Sequence, residues 1–307
     1  MLQRYISREF LNNVILSLKY RAIVMKLVLS PLILFFSIFF AFPMMLFAEN
    51  KSSDTITGAG AHFAWVIFDS LKEELEEKSG KNLLLFGKGS NIGMGCNAGI
   101  KIASQSTHDS PTFGFVCCNL SQAELDRKKL KIYPLADEPI LILVNKNNPI
   151  SNLSKKQVQS IFSGEIKNWN EVGGWNKPIV VITRLHCKKR PGHWKTILPS
   201  AKDFVSKRLN VSSAEEMVKY VTDFETAFGH IGSTWEFGSK SNVKAIKISN
   251  IEATAENLKN KTYPFHRRLS AITSLNPSDS VLTTINQVQQ GKSFKTIAER
   301  FNLLPLN

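Results

Sequence analysis

Short apolar runs alternate with amphipathic stretches along most of this chain, after an opening segment, residues 27–48, that is almost wholly apolar. Residues 55–63 read as a short strand and a glycine turn leading into a helix over 63–78. In that helix Trp65, Phe68, Leu71 and Leu75 recur at helical spacing, Lys72, Glu73, Glu76 and Glu77 form the wet face, and Gly80 ends it. A strand over 82–86 precedes a glycine-rich loop, 87–95, and a second helix that continues through Ile102. Residues 112–118 form a third strand, and Ser121 caps the helix after it. Residues 130–134 lead into a buried strand over 140–144, and Ser154 caps a helix over 155–162. Beyond a buried strand that starts at Pro178, the pattern predicts helices around 202–209 and 213–223 and an apolar strand over 228–233. Strands over 243–248 and 270–273 and a helix over 278–290 close the chain. Strands alternating with helices throughout, with no internal repeat and no low-complexity tract, predict an α/β fold.

Candidate chemistry collects at the ends of these strands. Residues 178–194 begin as a continuous β-branched run of the kind a strand buried on both faces shows, then change into four cations, two histidines and a cysteine. Ligands of open α/β sheets sit beyond the carboxyl ends of the strands, which places Arg184 where a ligand would be. The alternative is a solvated basic turn. Glycines between strand and helix, as in 58–60 and 87–95, let the backbone approach a ligand, and the free amides of the following helix attract an anion.

An apolar share of 43% and an aromatic share of 10% are ordinary for a globular protein of 307 residues, so disorder is excluded. The net charge is +14, and without residues 1–48, which hold five basic groups and one acidic group, the rest still carries +10. No RNP-like aromatic block, zinc-finger spacing or basic helix points to nucleic acid, so a small anion is the economical partner for this charge. The apolar segment has a positive flank at Arg21 and Lys26 and a small residue, Ala48, before a polar stretch. Residues 1–48 therefore read as a secretory signal cut after Ala48, or as an uncleaved anchor, since 22 apolar residues can also span a bilayer. Either way the mature chain is expected in the periplasm or another extracytoplasmic compartment. There the four cysteines, Cys96, Cys117, Cys118 and Cys187, suggest disulfides, for which three pairings exist, although adjacent Cys117 and Cys118 are poorly placed to bond each other.

The opening Ile56-Thr-Gly-Ala-Gly-Ala-His-Phe63 resembles the first ligand loop of one family, the periplasmic phosphate-binding proteins of ABC transporters. The run Ile142-Leu-Val-Asn-Lys-Asn-Asn-Pro149, the segment Leu153-Ser-Lys-Lys-Gln157 and the stretch 161–174 resemble its middle section, and Tyr263-Pro264 with Arg267 or Arg268 a later landmark. The resemblance covers residues 54–307. It implies a type II periplasmic-binding-protein clamp: two lobes of mixed sheet flanked by helices, 54–138 plus 240–307 and 139–239, joined by a two-strand hinge. Such a protein catalyses nothing, needs no cofactor, works as a monomer, and closes on a small inorganic or organic oxyanion to present a new surface to a membrane permease or a sensor.

The ligand loops depart from the pattern the resemblance implies. His62 stands before Phe63 where the family has threonine, Ser90 is kept, and Cys117 stands where an aspartate accepts a hydrogen bond from protonated phosphate. Arg184 is kept, but Leu185-His-Cys-Lys-Lys-Arg-Pro-Gly-His-Trp194 replaces the Gly-Ser-Gly-Thr that follows it. Ligand contacts are thus expected from His62, Phe63, Ser90, Cys117, Arg184, Lys188, Arg190, Gly192 and His193. Losing the carboxylate should weaken discrimination against a fully deprotonated oxyanion. Cys96, Cys117, Cys187 and His186 also raise a second reading, a metal or cofactor site in the same fold with phosphate binding lost, although nothing has Cys-x-x-Cys spacing. A thiolate phosphatase is disfavoured, because the position where His186-Cys187 would need its arginine is His193.

Overall fold

A computed structural model describes residues 54–86, 95–118, 120–187, 190, 193–237 and 241–306, with the His193 side chain left out. The expected signal over 1–48, and Ser90, Lys188 and Gly192, lie outside the described residues. Among the described residues no helix is long and apolar enough to cross a membrane.

The first core forms where three parallel strands carry large apolar side chains at the sheet period. Strands β1 (Thr55–Gly60), β2 (Asn82–Phe86) and β3 (Thr112–Val116) lie in the order β2-β1-β3. Phe113 and Phe115 of β3 are fully buried and meet Phe68 at ring-centroid distances of 5.6 and 4.7 Å. Each such ring contributes roughly 1.5–3 kcal/mol by leaving water. The expected helix over 63–78 is broken into a π-helical turn, Trp65–Asp69, and an α-helix, α1 (Lys72–Ser79), which Gly80 ends in the left-handed region at φ 65°. Helix α2 (Cys96–Ser104) packs on β1 and β3. It comes so close that a Cβ on Gly114 would stand 2.0 Å from the Gly99 carbonyl oxygen. Only glycine at both positions permits that approach, which sets the position of the first turn of α2.

After α3 (Gln122–Lys128), capped by Ser121, the chain enters β4 (Leu130–Asn145), a single 16-residue strand where the sequence suggested two pieces. Its first half pairs with β10 (His266–Ser274) and its second half with β8 (Ala227–Gly232) and β9 (Val243–Ile248). A bulge leaves Leu135 without a partner in β10, next to Pro134: Leu269 pairs with Ala136 and Ser270 with Pro134. One sheet path, β2-β1-β3-β10-β4-β8-β6, therefore runs through both halves, with β6 (Val180–Thr183) parallel to β8 and a short strand, β7 (Leu209–Asn210), parallel to β6 at the edge.

The second core is built on this far half. Helix α4 (Lys155–Ser163) begins with a capping box between Ser154 and Gln157. Trp169 is fully buried and donates its indole N–H to the Thr226 carbonyl at 3.1 Å. Helix α5 (Ala214–Asp223) starts at Ser213, whose side chain accepts from the Glu216 amide. Two expectations change here. The helix expected over 202–209 does not form: a Ser200-capped 3-10 turn over Ala201–Asp203 leads to a short strand, β7 (Leu209–Asn210), because the Val205 amide donates to the Phe162 carbonyl at 2.8 Å instead of to a helical partner. The first core was expected to resume at residue 240, yet Val243, Ile246, Ile248, Leu258, Tyr263 and Phe265 pack with the second core. β9 pairs with the far half of β4, and the chain rejoins the first core only in β10, from Leu269. Helices α6 (Ala255–Lys259), α7 (Asp279–Gln290) and α8 (Lys292–Arg300) and strands β5 (Asn152–Leu153) and β11 (Leu304–Pro305) complete the described fold.

Candidate functional site

Helix starts from both cores face one cavity of about 360 Å³. Ala61 and His62, at the entry to the helical turn after β1, line it together with Gly95, Cys96 and Asn97 at the start of α2. Ser212, Ser213 and Ala214 line it at the start of α5. Such starts present unpaired backbone N–H groups and the positive end of the helix dipole, so their convergence favours an anion. The sequence makes each start locally: Gly95 adopts φ 87°, and Ser213 supplies the cap of α5.

Arg184 leaves the carboxyl end of β6 and lines the same cavity. Its Nε donates to the Ser212 carbonyl at 3.0 Å, which aims the guanidinium along the start of α5. Burial lowers its pKa below the ordinary arginine range, and Arg267 nearby adds to this. Arg267, from β10, also lines the cavity and is paired with Glu138, whose side chain is fully buried. Glu138 also accepts from the Thr234 amide at 2.9 Å and from its hydroxyl at 2.5 Å. Burial works against the charge on Arg267, but Glu138 more than offsets it and raises the pKa. One wall cation is thus neutralised by a carboxylate, while Arg184 turns its Nε to a backbone carbonyl instead.

Two histidines share the cavity in neutral form. The His62 ring sits 4.4 Å from Trp235 and 5.4 Å from Trp65, centroid to centroid, and its pKa is lowered to about 4, first by burial and then by Arg267 and Arg184. His230, in the middle of β8, is lowered to about 3 by burial, with His186, Arg184 and Arg267 reinforcing it.

Beside Arg184 the loop turns into a sulfur cluster. Cys96 and Cys117 lie with sulfurs 3.5 Å apart, and Cys118 is close to both. Cys187, at φ 54°, and His186 approach Cys118 from the other side. All four thiols are unbonded to one another. Hydrogen bonds from Cys118 and Cys96 pull Cys187 down to about 4, whereas hydrogen bonding with Cys117 first, and then with Cys187 and Cys96, pushes Cys118 up. Trp194 fixes this loop by donating its indole N–H to the His186 carbonyl at 2.9 Å.

Of the expected ligand residues, His62, Cys117 and Arg184 come together at the cavity. The Phe63 side chain is fully buried in the first core against Phe115. Arg190 is taken up by Glu124, at 3.2 Å, and by Asn97, and it is absent from the cavity lining. Asn97, Ser212, Ser213, His230, Thr234 and Trp235 line the cavity without having been singled out from sequence. Ser213, the start of an amphipathic helix, and Thr234 and Trp235, the residues beyond the end of a buried strand, carried positional signals for it.

Residues 47–284 match the family model described as the PBP superfamily domain. The phosphate-binding protein PstS of Bacillus subtilis is 23% identical over 219 residues, which cover 70% of this chain and 69% of that one. The phosphate-binding protein PstS of Pseudomonas aeruginosa is 27% identical over 154 residues, 44% of this chain and 47% of that one. Among solved structures, one from Clostridium perfringens with bound phosphate aligns with a TM-score of 0.69 at 24% identity, over 82% of this chain and all of that one. An ABC-type phosphate transport receptor from Vibrio cholerae aligns with a TM-score of 0.60 at 21% identity, over 82% of this chain and 100% of its own.

Proposed function

This chain belongs to the PBP superfamily domain family, and from that premise we propose that it is a solute-binding protein that captures phosphate or a phosphate-like oxyanion. The observation that carries the reading is the convergence of three helix starts, at residues 61–62, 95–97 and 212–214, and of Arg184 on one cavity. A planar guanidinium with several backbone N–H donors suits a tetrahedral oxyanion, which accepts charge-assisted hydrogen bonds from every side. The similarity to phosphate-binding proteins PstS supports the same ligand class.

The cavity lies between two lobes in this reading. One is formed by the first core and the chain from β10 onward, the other by residues that pack around β6, β8 and β9, with β4 and the entry to β10 as the crossing strands. Closure on the anion alters the surface offered to a membrane permease or sensor, and the monomer suffices for that. The chain does no chemistry on its ligand, and it acts outside the cytoplasm after export through residues 1–48.

Isothermal titration of the protein with inorganic phosphate, sulfate and an organic phosphate tests this. Phosphate should bind, and Arg184→Ala should weaken it by about 100-fold, as losing one or two charge-assisted hydrogen bonds worth about 1.5–3 kcal/mol each implies. No binding of any of the three, with Arg184→Ala indistinguishable from wild type, would remove the anion reading.

A further inference from the structure

The sulfur cluster lies at the edge of the anion cavity, and anion capture leaves it unexplained. Its donors come from three separate segments: Cys96 from the first turn of α2, Cys117 and Cys118 from the end of β3, and His186 and Cys187 from the loop after β6. The donor atoms of Cys96, Cys117 and Cys118 lie within 4.8 Å of one another, and so do those of Cys118, His186 and Cys187. Sulfurs bound to one tetrahedral zinc stand about 3.8 Å apart, given zinc–sulfur bonds of about 2.3 Å. The cluster is therefore close to the spacing of a metal site.

We propose that Cys96, Cys118, Cys187 and His186 form a binding site for a single thiophilic metal ion such as zinc. Cys118 belongs to both groups and is the centre of the set. Cys96 Sγ accepts the Cys117 amide at 3.2 Å, a contact that stabilises a thiolate, and Cys96 also opens a helix, where negative charge is favoured. The His186 ring has Nδ1 3.2 Å from the Arg184 carbonyl. A metal-bound imidazole makes this contact with its second nitrogen, leaving Nε2 as the ligand atom. Cys187 holds a left-handed backbone that side chains rarely adopt, and this turns the loop toward Cys118. Arg190 acts on Cys187 and Arg267 on Cys118, so each, although paired with a carboxylate, still offsets part of the negative charge of a thiolate-bound ion. Binding releases the thiol protons to solvent and involves no redox step. The ion would tie the loop that carries Arg184 to α2 and β3, and so fix one wall of the anion site. Cys117, which lines the cavity as Cys96 and Cys187 also do, stands outside the ligand set.

The full chain, purified in reductant and stripped with chelator, should take up one zinc ion per chain after titration with zinc and desalting. Cobalt in its place should give the absorption of a tetrahedral thiolate site. Cys118→Ser should lose the bound zinc and Cys117→Ser should keep it. Should Cys118→Ser fail to fold, Cys187→Ser, in the half-buried loop, must show the same loss. Substoichiometric zinc in a wild-type chain with all thiols titratable would overturn the proposal, as would zinc retained in Cys118→Ser or Cys187→Ser. Two disulfides that leave no titratable thiol and no metal site after reduction would overturn it as well. Phosphate titration of the zinc-free chain is a separate measurement, so a failed metal site leaves the anion reading standing.

Discussion

Replacing Glu138 by glutamine tests whether the wall of the cavity depends on one buried ion pair. The glutamine keeps the volume and can still accept from the Thr234 amide, which lies 2.9 Å from Glu138 Oε1. Its NH2 group, however, faces the Arg267 guanidinium, and two donors cannot pair. Arg267 has a side chain only 12% exposed and would keep a buried charge without its carboxylate. Breaking a buried pair from one side costs about 3–5 kcal/mol. In a unit of this size about 2–4 °C of melting temperature accompanies each kcal/mol, so Glu138→Gln should melt at least about 6 °C below wild type. Arg268→Gln is the internal control: it faces Asp137 at 2.9 and 3.1 Å, but its side chain is 44% exposed. An exposed pair contributes about 0–1 kcal/mol, so this variant should lose less than about 4 °C. Thermal unfolding followed by circular dichroism reads both. Added phosphate should raise the melting temperature more in Glu138→Gln than in wild type, because Arg267 is then no longer neutralised. If Glu138→Gln melts no lower than Arg268→Gln, the pair is not what holds this wall.

How far the sequence disclosed the site depended on whether a residue's role was local. The Ser154 cap of α4, the helix over 213–223 and the strand that delivers Arg184 are written in neighbouring residues, and they form as read. The pairing of Glu138 with Arg267 joins residues 129 positions apart, so no local pattern could reveal it. The same holds for the meeting of Cys96, Cys117 and Cys118 with His186 and Cys187, which depends on α2 resting against β3 through Gly99 and Gly114. The cysteines were visible as residues, but only the packing decides that they share one place. The helix expected over 202–209 fails for a similar reason: helical propensity there yields to a tertiary hydrogen bond from Val205 to Phe162.

Gly114→Ala should lower the melting temperature by several degrees, since its Cβ would press on the Gly99 carbonyl from 2.0 Å and overpacking costs about 1–3 kcal/mol. Because the displaced helix carries Cys96 and Asn97 at the cavity, the variant should also bind phosphate more weakly in the same calorimetric assay, and unchanged stability would refute the close packing. Acid should destabilise the fold before its carboxylates titrate. His62 and His230 are held neutral with pKa values of about 4 and about 3, below the ordinary 6.5, so their burial stabilises the folded chain fully above pH 6.5. That contribution is lost as pH falls from about 6.5 toward 4, where the unfolded chain takes up protons that the folded chain refuses. Each histidine adds a slope of about 1.4 kcal/mol per pH unit across this window. Melting temperatures measured between pH 7.5 and 4.5 should therefore fall less steeply in His230→Phe than in wild type. Equal slopes would show that His230 takes up its proton at the same pH in the folded and unfolded chain, so that burial does not hold it neutral.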